Sequence, residues 1–227
     1  MTCAMKKLNA PQNLTVLAYD SIKAYILREE LDENVRLTED FLSGQLGISK
    51  SPVREALNSF HSFHTEGLIR IEARRGAYLR RFSVKEVKDL YELREAIEVY
   101  AVGVAMLSPR LIADLKSSTQ RTKKFLKAND RLGHIEEDTK FHGLITAATG
   151  NLELCRVLAN IQNQIWLCRR KTYDLSSSTS PAAHQSILTA LEKGDCAEAQ
   201  KAMRSHIALV RQRLIAYMEE AKSVASD

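Results

Sequence analysis

The spacing of apolar residues along this chain changes character near residue 82. Before that point helical periodicity gives way to alternation, and after it helical periodicity runs on to the end. "TVLAYDSIKAYILREEL" places Val16, Leu17, Ile22, Ile26 and Leu27 near one face of a helix. "LTEDFLSGQLGI" predicts a second helix, with Thr38 as its N-cap and Phe41, Leu42 and Leu46 at helical spacing. Gly47 supplies a turn, and "SKSPVREALNSF" opens a third helix. Ser51 is the expected cap there, and Pro52 fits the first turn, where its missing N–H is no loss. After Gly67, "LIRIEA" and "AYLRRF" alternate around "RRG", which predicts a hairpin with Gly76 near its tip.

From Ser83 the pattern is helical throughout. Ser83 and Glu86 form a capping-box signal at the head of "SVKEVKDLYELREAIEVYAVGVAML". Further helices are predicted over residues 109–127, 130–148, 151–173, 182–193 and 195–222, with "SSSTSP" and "KGD" separating the last of them. The resulting expectation is a mainly α protein. A flexible N-terminus (1–14) precedes a winged helix-turn-helix (15–82), and an all-α antiparallel helical bundle (83–227) follows.

Composition narrows this without redirecting it. The chain is 44% hydrophobic and 27% charged, an ordinary globular profile. No apolar run approaches the roughly 20 residues that span a bilayer, and no long apolar segment follows Lys6 and Lys7 as a secretory signal would require. Cys3, Cys155, Cys168 and Cys196 form no CxxC pair, so reduced thiols in a cytoplasmic protein are the expectation, with no membrane partner. The net charge of +5 is uneven: Gly44 to Arg81 holds seven basic residues against three acids. That segment suits a phosphate backbone, although a solvated face is an equal reading of the charge alone.

A helix, a glycine turn and a second helix that opens with small polar and basic residues is the arrangement that reads DNA. Ser49, Lys50, Ser51 and Arg54 lie at the start of that second helix, where backbone N–H groups and hydroxyls hold phosphates and Arg54 can pair with guanine. Arg74, Arg75 and Gly76, at the hairpin tip, would lay a wing along the adjacent groove. "LGISKSPVREAL", with "EGL" and "RRGAYL", resembles the DNA-binding domain of GntR-family bacterial transcription factors, and the likeness covers nearly all of residues 15–82. The resemblance implies double-stranded operator DNA as a partner, bound by a homodimer. Two positions depart from the family pattern. Asp40 stands where Arg or Lys is common, and Lys50 replaces a frequent Arg, which keeps the charge but loses the bidentate fork.

In the second half, Asp138 and His142 are spaced i and i+4 and share a helix face, while His184 and His206 lie on later helices. A carboxylate and three imidazoles suit zinc, nickel, manganese or iron. Spacing alone leaves satisfied core or half-exposed histidines as an open alternative. "DTKFHGLITAATGN", "HQSILTALEKGDCAEAQKAM" and "SHI", with Leu93, Arg94, Glu95 and Glu98, resemble the ligand-binding FCD domain of FadR-type GntR regulators. That resemblance implies a divalent metal, zinc foremost, held by Asp138, His142, His184 and His206, and a small carboxylate effector. Arg94 or Arg169 would neutralise the carboxylate, or Arg94 would simply pair with Glu98 on the helix surface. His134 has no counterpart in the pattern and is expected at the surface or rim. No HExxH or nucleophile elbow is present, so a regulator is expected rather than an enzyme. A metal-ion-responsive regulator and a metal-dependent hydrolase with an accessory DNA-binding domain are the alternatives.

One feature stands apart. "SFHSFH" repeats a triplet at residues 59–64, and deleting either copy restores the family spacing between "REAL" and "EGL". It reads as an in-frame duplication. Three residues turn a helix by about 300° and lengthen it by about 4.5 Å, so a locally irregular helix end is expected. His61 and His64 supply only two ligands and make a poor metal site.

Overall fold

The structure is a computed structural model and describes residues 14–28, 35–58, 67–72, 76–169 and 172–224. The chain divides into two compact units, one through Arg80 and one from Arg81. In the first, α1 (Leu14–Arg28) is followed by β1 (Arg36–Leu37), α2 (Glu39–Leu46), α3 (Lys50–Asn58), β2 (Ile69–Glu72) and β3 (Gly76–Leu79). The three strands form an antiparallel sheet in the order β1-β3-β2, with Leu37 opposite Ala77 and Ile69 opposite Leu79. This is a winged helix, with one strand more than the expected hairpin.

Local chemistry explains its helix boundaries. Thr38 caps α2 by accepting from the Phe41 amide at 3.0 Å, and Gly47 closes it at φ 65°, a conformation glycine takes without strain. The third helix begins at Lys50, so Ser51 is already inside it and Ser49 precedes it, one correction to the expected cap. A second correction concerns α1. Its buried stripe is Ala18, Ile22 and Ile26, while Val16 and Leu17 are exposed. Stepping back four residues from Ile22 reaches Ala18, so the i, i+4 row selects the small residue over the larger ones beside it. The tandem triplet at 59–64 lies outside the described residues, as do Arg74 and Arg75.

The second unit is all helical among its described residues: α4 (Val84–Val104), α5 (Pro109–Lys127), α6 (Arg131–Ala147), α7 (Leu152–Arg169), the short α8 (Tyr173–Ser176), α9 (Ser180–Glu192) and α10 (Cys196–Val224). The Ser83–Glu86 capping box forms in both directions. The helices α4 and α10 share the largest contact, and α5 packs on α6 and α9 on α10. Between them lies one core that includes Val87, Val102, Leu115, Phe141, Ile145, Leu158, Ile187, Met203 and Ile207. "SSSTSP" does not break the chain as fully as expected. A single 3₁₀ turn (Ser177–Thr179) leads directly into α9, which starts at Ser180 with Pro181 in its first turn. No described helix is long and apolar enough to cross a membrane.

Candidate functional site

Three helices of the second unit bring four donors together. Asp138 and His142 stand one turn apart on α6, His184 is on α9 and His206 on α10, and all four are buried. One ligand atom from each can be chosen so that all lie within 4.8 Å of one another. His142 Nε2 is 3.3 Å from His184 Nε2, and His184 Nε2 is 3.4 Å from Asp138 Oδ1. The His184 ring stacks on Phe141 at a centroid distance of 4.0 Å, which fixes its plane.

The surroundings keep these donors in the state a cation needs. Burial pushes His184 down to about 3 and His206 in the same direction, so both are neutral near pH 7 with a lone pair to give. Burial works against ionisation of Asp138, but His184, His142 and Arg169 around it hold its carboxyl well below the usual range. Ser180 Oγ donates to Asp138 Oδ1 at 2.6 Å, an orienting bond available because α9 starts early. On α4, Glu98 Oε2 meets His142 Nδ1, so Nε2 of that ring is the atom turned toward His184. These residues fit a borderline divalent ion such as zinc, nickel, manganese or iron: one hard oxygen, three imidazoles and an outer layer that sets tautomer and charge.

A pocket adjoins the cluster through Asp138. Arg94, His134, Gln162, Trp166, Arg169 and Tyr173 also line it. Arg169 Nη1 lies 3.9 Å from Asp138 Oδ2. Arg94 reaches the pocket while its Nε donates to Glu98 Oε1 at 2.6 Å; the pair forms as spacing allows, but in the interior, with both residues at most 2% exposed. Burial opposes the charge on Glu98, and Arg94 with His142 brings its carboxyl down to about 2. His134 corrects an expectation: it is 1% exposed and not at the surface. Its position one turn before Asp138 places it on the buried face of α6, and its ring meets Tyr173 edge-on at 5.3 Å.

Sequence reasoning passed over Glu98, Ser180 and Gln162 as site residues. For Glu98 the signal was its i+4 relation to Arg94. For Ser180 and Gln162 no local pattern marks them.

In the first unit, Ser49, Lys50, Ser51 and Arg54 all lie exposed at the start of α3. The two cations there carry partners from α2. The Arg54 guanidinium forks onto Glu39, with Nε at 2.9 Å from Oε1 and Nη2 at 2.7 Å from Oε2. Lys50 pairs with Asp40, the residue that departs from the resemblance. Gly76 opens β3 opposite Glu72.

Comparison with known proteins places these observations. Residues 14–79 match the family of bacterial regulatory proteins called the gntR family, and residues 89–209 match the FCD domain. A segment of 152 residues is 30% identical to the Nta operon transcriptional regulator of Aminobacter aminovorans, covering 61% of this chain and 69% of that one. The HTH-type transcriptional regulator YdhC of Bacillus subtilis is 25% identical over 225 residues, 95% of this chain and 97% of its own. Among solved structures, a GntR regulator from Rhodococcus sp. RHA1 shares the fold with a TM-score of 0.78 at 17% identity, over 89% of this chain and 97% of that one.

Proposed function

The chain belongs to the GntR family of bacterial transcriptional regulators and carries an FCD ligand-binding domain, and on that premise we propose a metal-dependent carboxylate receptor of the FadR type. In this reading a homodimer holds operator DNA through Ser49, Lys50, Ser51, Arg54 and the wing residues Arg74, Arg75 and Gly76. Two half-sites about one DNA turn apart call for a two-fold protein. The observation that carries the effector half is the buried Asp138–His142–His184–His206 cluster joined through Asp138 to an arginine-lined pocket.

A divalent cation bound there supplies a Lewis-acidic anchor for a carboxylate. The chain's own residues do the rest. Arg169 and Arg94 bring guanidinium groups to the pocket wall, where they can meet a carboxylate, while Glu98 and Ser180 orient His142 and Asp138. The ligand acts on DNA affinity only as far as it binds the DNA-competent and incompetent arrangements unequally.

Operator binding by fluorescence anisotropy, with zinc-loaded and chelator-treated protein across a panel of small carboxylates, tests the proposal. At least one acid is expected to shift operator affinity when zinc is present and to lose that effect with chelator. Operator affinity that follows metal and ignores every acid would instead make the ion itself the effector. Turnover of a carboxylate ester that disappears with His142→Ala would make the chain an enzyme.

A further inference from the structure

The pocket beside the cluster holds polar atoms that the helical unit leaves unmatched. Neither ring nitrogen of His134 has a hydrogen-bond partner among the described residues, and neither does Gln162 Nε2, although all three atoms are buried. His134 comes from α6, one turn before Asp138, and Gln162 comes from α7; both line the same pocket as Asp138 and Arg169. The edge-on contact with Tyr173 helps hold the His134 ring in place. Buried polar groups are almost always matched by protein, ligand or ordered water, so these three atoms at one pocket are positioned to meet a polar group of whatever the pocket takes in.

Their hydrogen-bonding capacity describes that ligand. A neutral imidazole carries one N–H donor and one lone pair, and the Gln162 amide nitrogen carries only donors. Burial lowers the basicity of His134 and keeps it neutral. An alkyl chain would match none of these atoms. A carboxylate oxygen accepts but does not donate, so it would leave the His134 lone pair without a partner. A hydroxyl meets one ring nitrogen at a time, but it can donate to the His134 lone pair while it accepts from the Gln162 amide, and its carbon neighbours can lie against Trp166, another residue of the pocket wall.

We propose that His134 and Gln162 read a hydroxyl group on the effector, so that the pocket selects hydroxycarboxylates over their deoxy counterparts. The inference rests on the reading of the cluster and pocket as a carboxylate receptor, and it adds the second contact point. The metal side holds the carboxylate through Asp138 and its companions, and the α6–α7 wall recognises the hydroxyl.

Calorimetric titration of the full-length, zinc-loaded chain tests this with matched acids: 2-, 3- and 4-hydroxybutanoate against butanoate, and gluconate against hexanoate. At least one hydroxy acid is expected to bind about ten-fold more tightly than its deoxy partner. His134→Leu and Gln162→Leu are each expected to remove most of that preference, the Kd of the hydroxy acid moving to within about two-fold of its deoxy partner's in the same variant, with zinc stoichiometry unchanged. Gln162 is only partly buried as a residue, so its variant carries the test if His134→Leu fails to fold. Acids that bind with no hydroxyl preference, or a preference that survives both substitutions, would overturn the inference and leave the receptor reading standing. A zinc-loaded chain that binds no acid of the panel would overturn both.

Discussion

Glu98 and His142 meet in the interior of the helical unit, carboxylate Oε2 against ring Nδ1. The other Glu98 oxygen takes the Arg94 Nε donor at 2.6 Å, so one buried carboxylate holds a guanidinium and an imidazole at once. The first consequence concerns metal affinity. With Nδ1 committed to Glu98, His142 presents Nε2 to the cluster, and orienting partners of this kind are worth roughly 10- to 100-fold in metal binding. Glu98→Gln is expected to weaken zinc binding by about that factor in competition with a chromophoric chelator. It also leaves the buried Arg94 charge uncompensated, so folding stability is expected to fall by about 3–5 kcal/mol. Unchanged zinc affinity in the folded variant would show that Glu98 serves Arg94 alone.

Asp138 gives a second, cleaner test of the cluster. A ligand that binds only the folded state stabilises it by about 2.7 kcal/mol at a hundred-fold excess over Kd. Zinc is therefore expected to raise Tm by several degrees in the wild-type chain and chelator to reverse the gain. In Asp138→Ala both responses are expected to shrink to a small fraction. Equal zinc stabilisation in the variant would place the metal elsewhere.

Acid sensitivity follows from the buried histidines. Burial lowers His184 to about 3, and His206 and His134 move in the same direction, while unfolded histidines titrate near about 6.5. Between those values the unfolded chain binds more protons. Stability is then fully present above about pH 6.5 and is lost as pH falls toward 3, by about 1.4 kcal/mol per pH unit for each histidine kept neutral. Glu98, brought down to about 2, adds to the loss only below its unfolded value near 4.5. Urea unfolding of metal-stripped protein at about pH 7.5, 6 and 5 measures this. A midpoint that stays constant over that range would show that the histidines are not buried as described.

Part of this architecture was legible in the chain because it is local. Capping residues such as Thr38 and Ser83 mark helix starts within three residues, and the i, i+4 spacing put Asp138 and His142 on one face. His184 lies 42 residues beyond His142, and no periodicity connects them; only family resemblance did. The misreadings have separate causes. His134 was expected at the surface because the family pattern holds no counterpart for it, although its spacing from Asp138 put it on the buried face. Bulk made Val16 and Leu17 look buried, although the row through Ile22 and Ile26 runs through Ala18. The two-residue β1 is too short for alternation to register, and its pairing with β3 is a non-local contact.

The ion pairs at the head of α3 make the last prediction. Arg54 is forked onto Glu39 and Lys50 is paired with Asp40, so the two cations proposed to meet DNA are already partly neutralised by α2. If Arg54 reads a guanine, Arg54→Ala is expected to weaken operator binding by about ten-fold or more and to relax preference at one base pair. Uniform weakening on all sequences would assign it to a phosphate. In the same proposal Glu39 and Asp40 act in the opposite sense, because each would place a negative charge near the DNA backbone and already competes for a cation. Asp40→Ala is expected to raise affinity for random-sequence DNA and to steepen the plot of log K against log salt by about one unit, as Lys50 becomes a full phosphate contact. Glu39→Gln removes the fork that pre-orients Arg54, so it is expected to raise random-sequence affinity while lowering the ratio of operator to random binding. Anisotropy titrations at two or more salt concentrations separate these effects. A salt slope unchanged in Asp40→Ala would mean that Lys50 does not face the DNA, and the basic head of α3 would then reduce to Arg54 and its flanking serines.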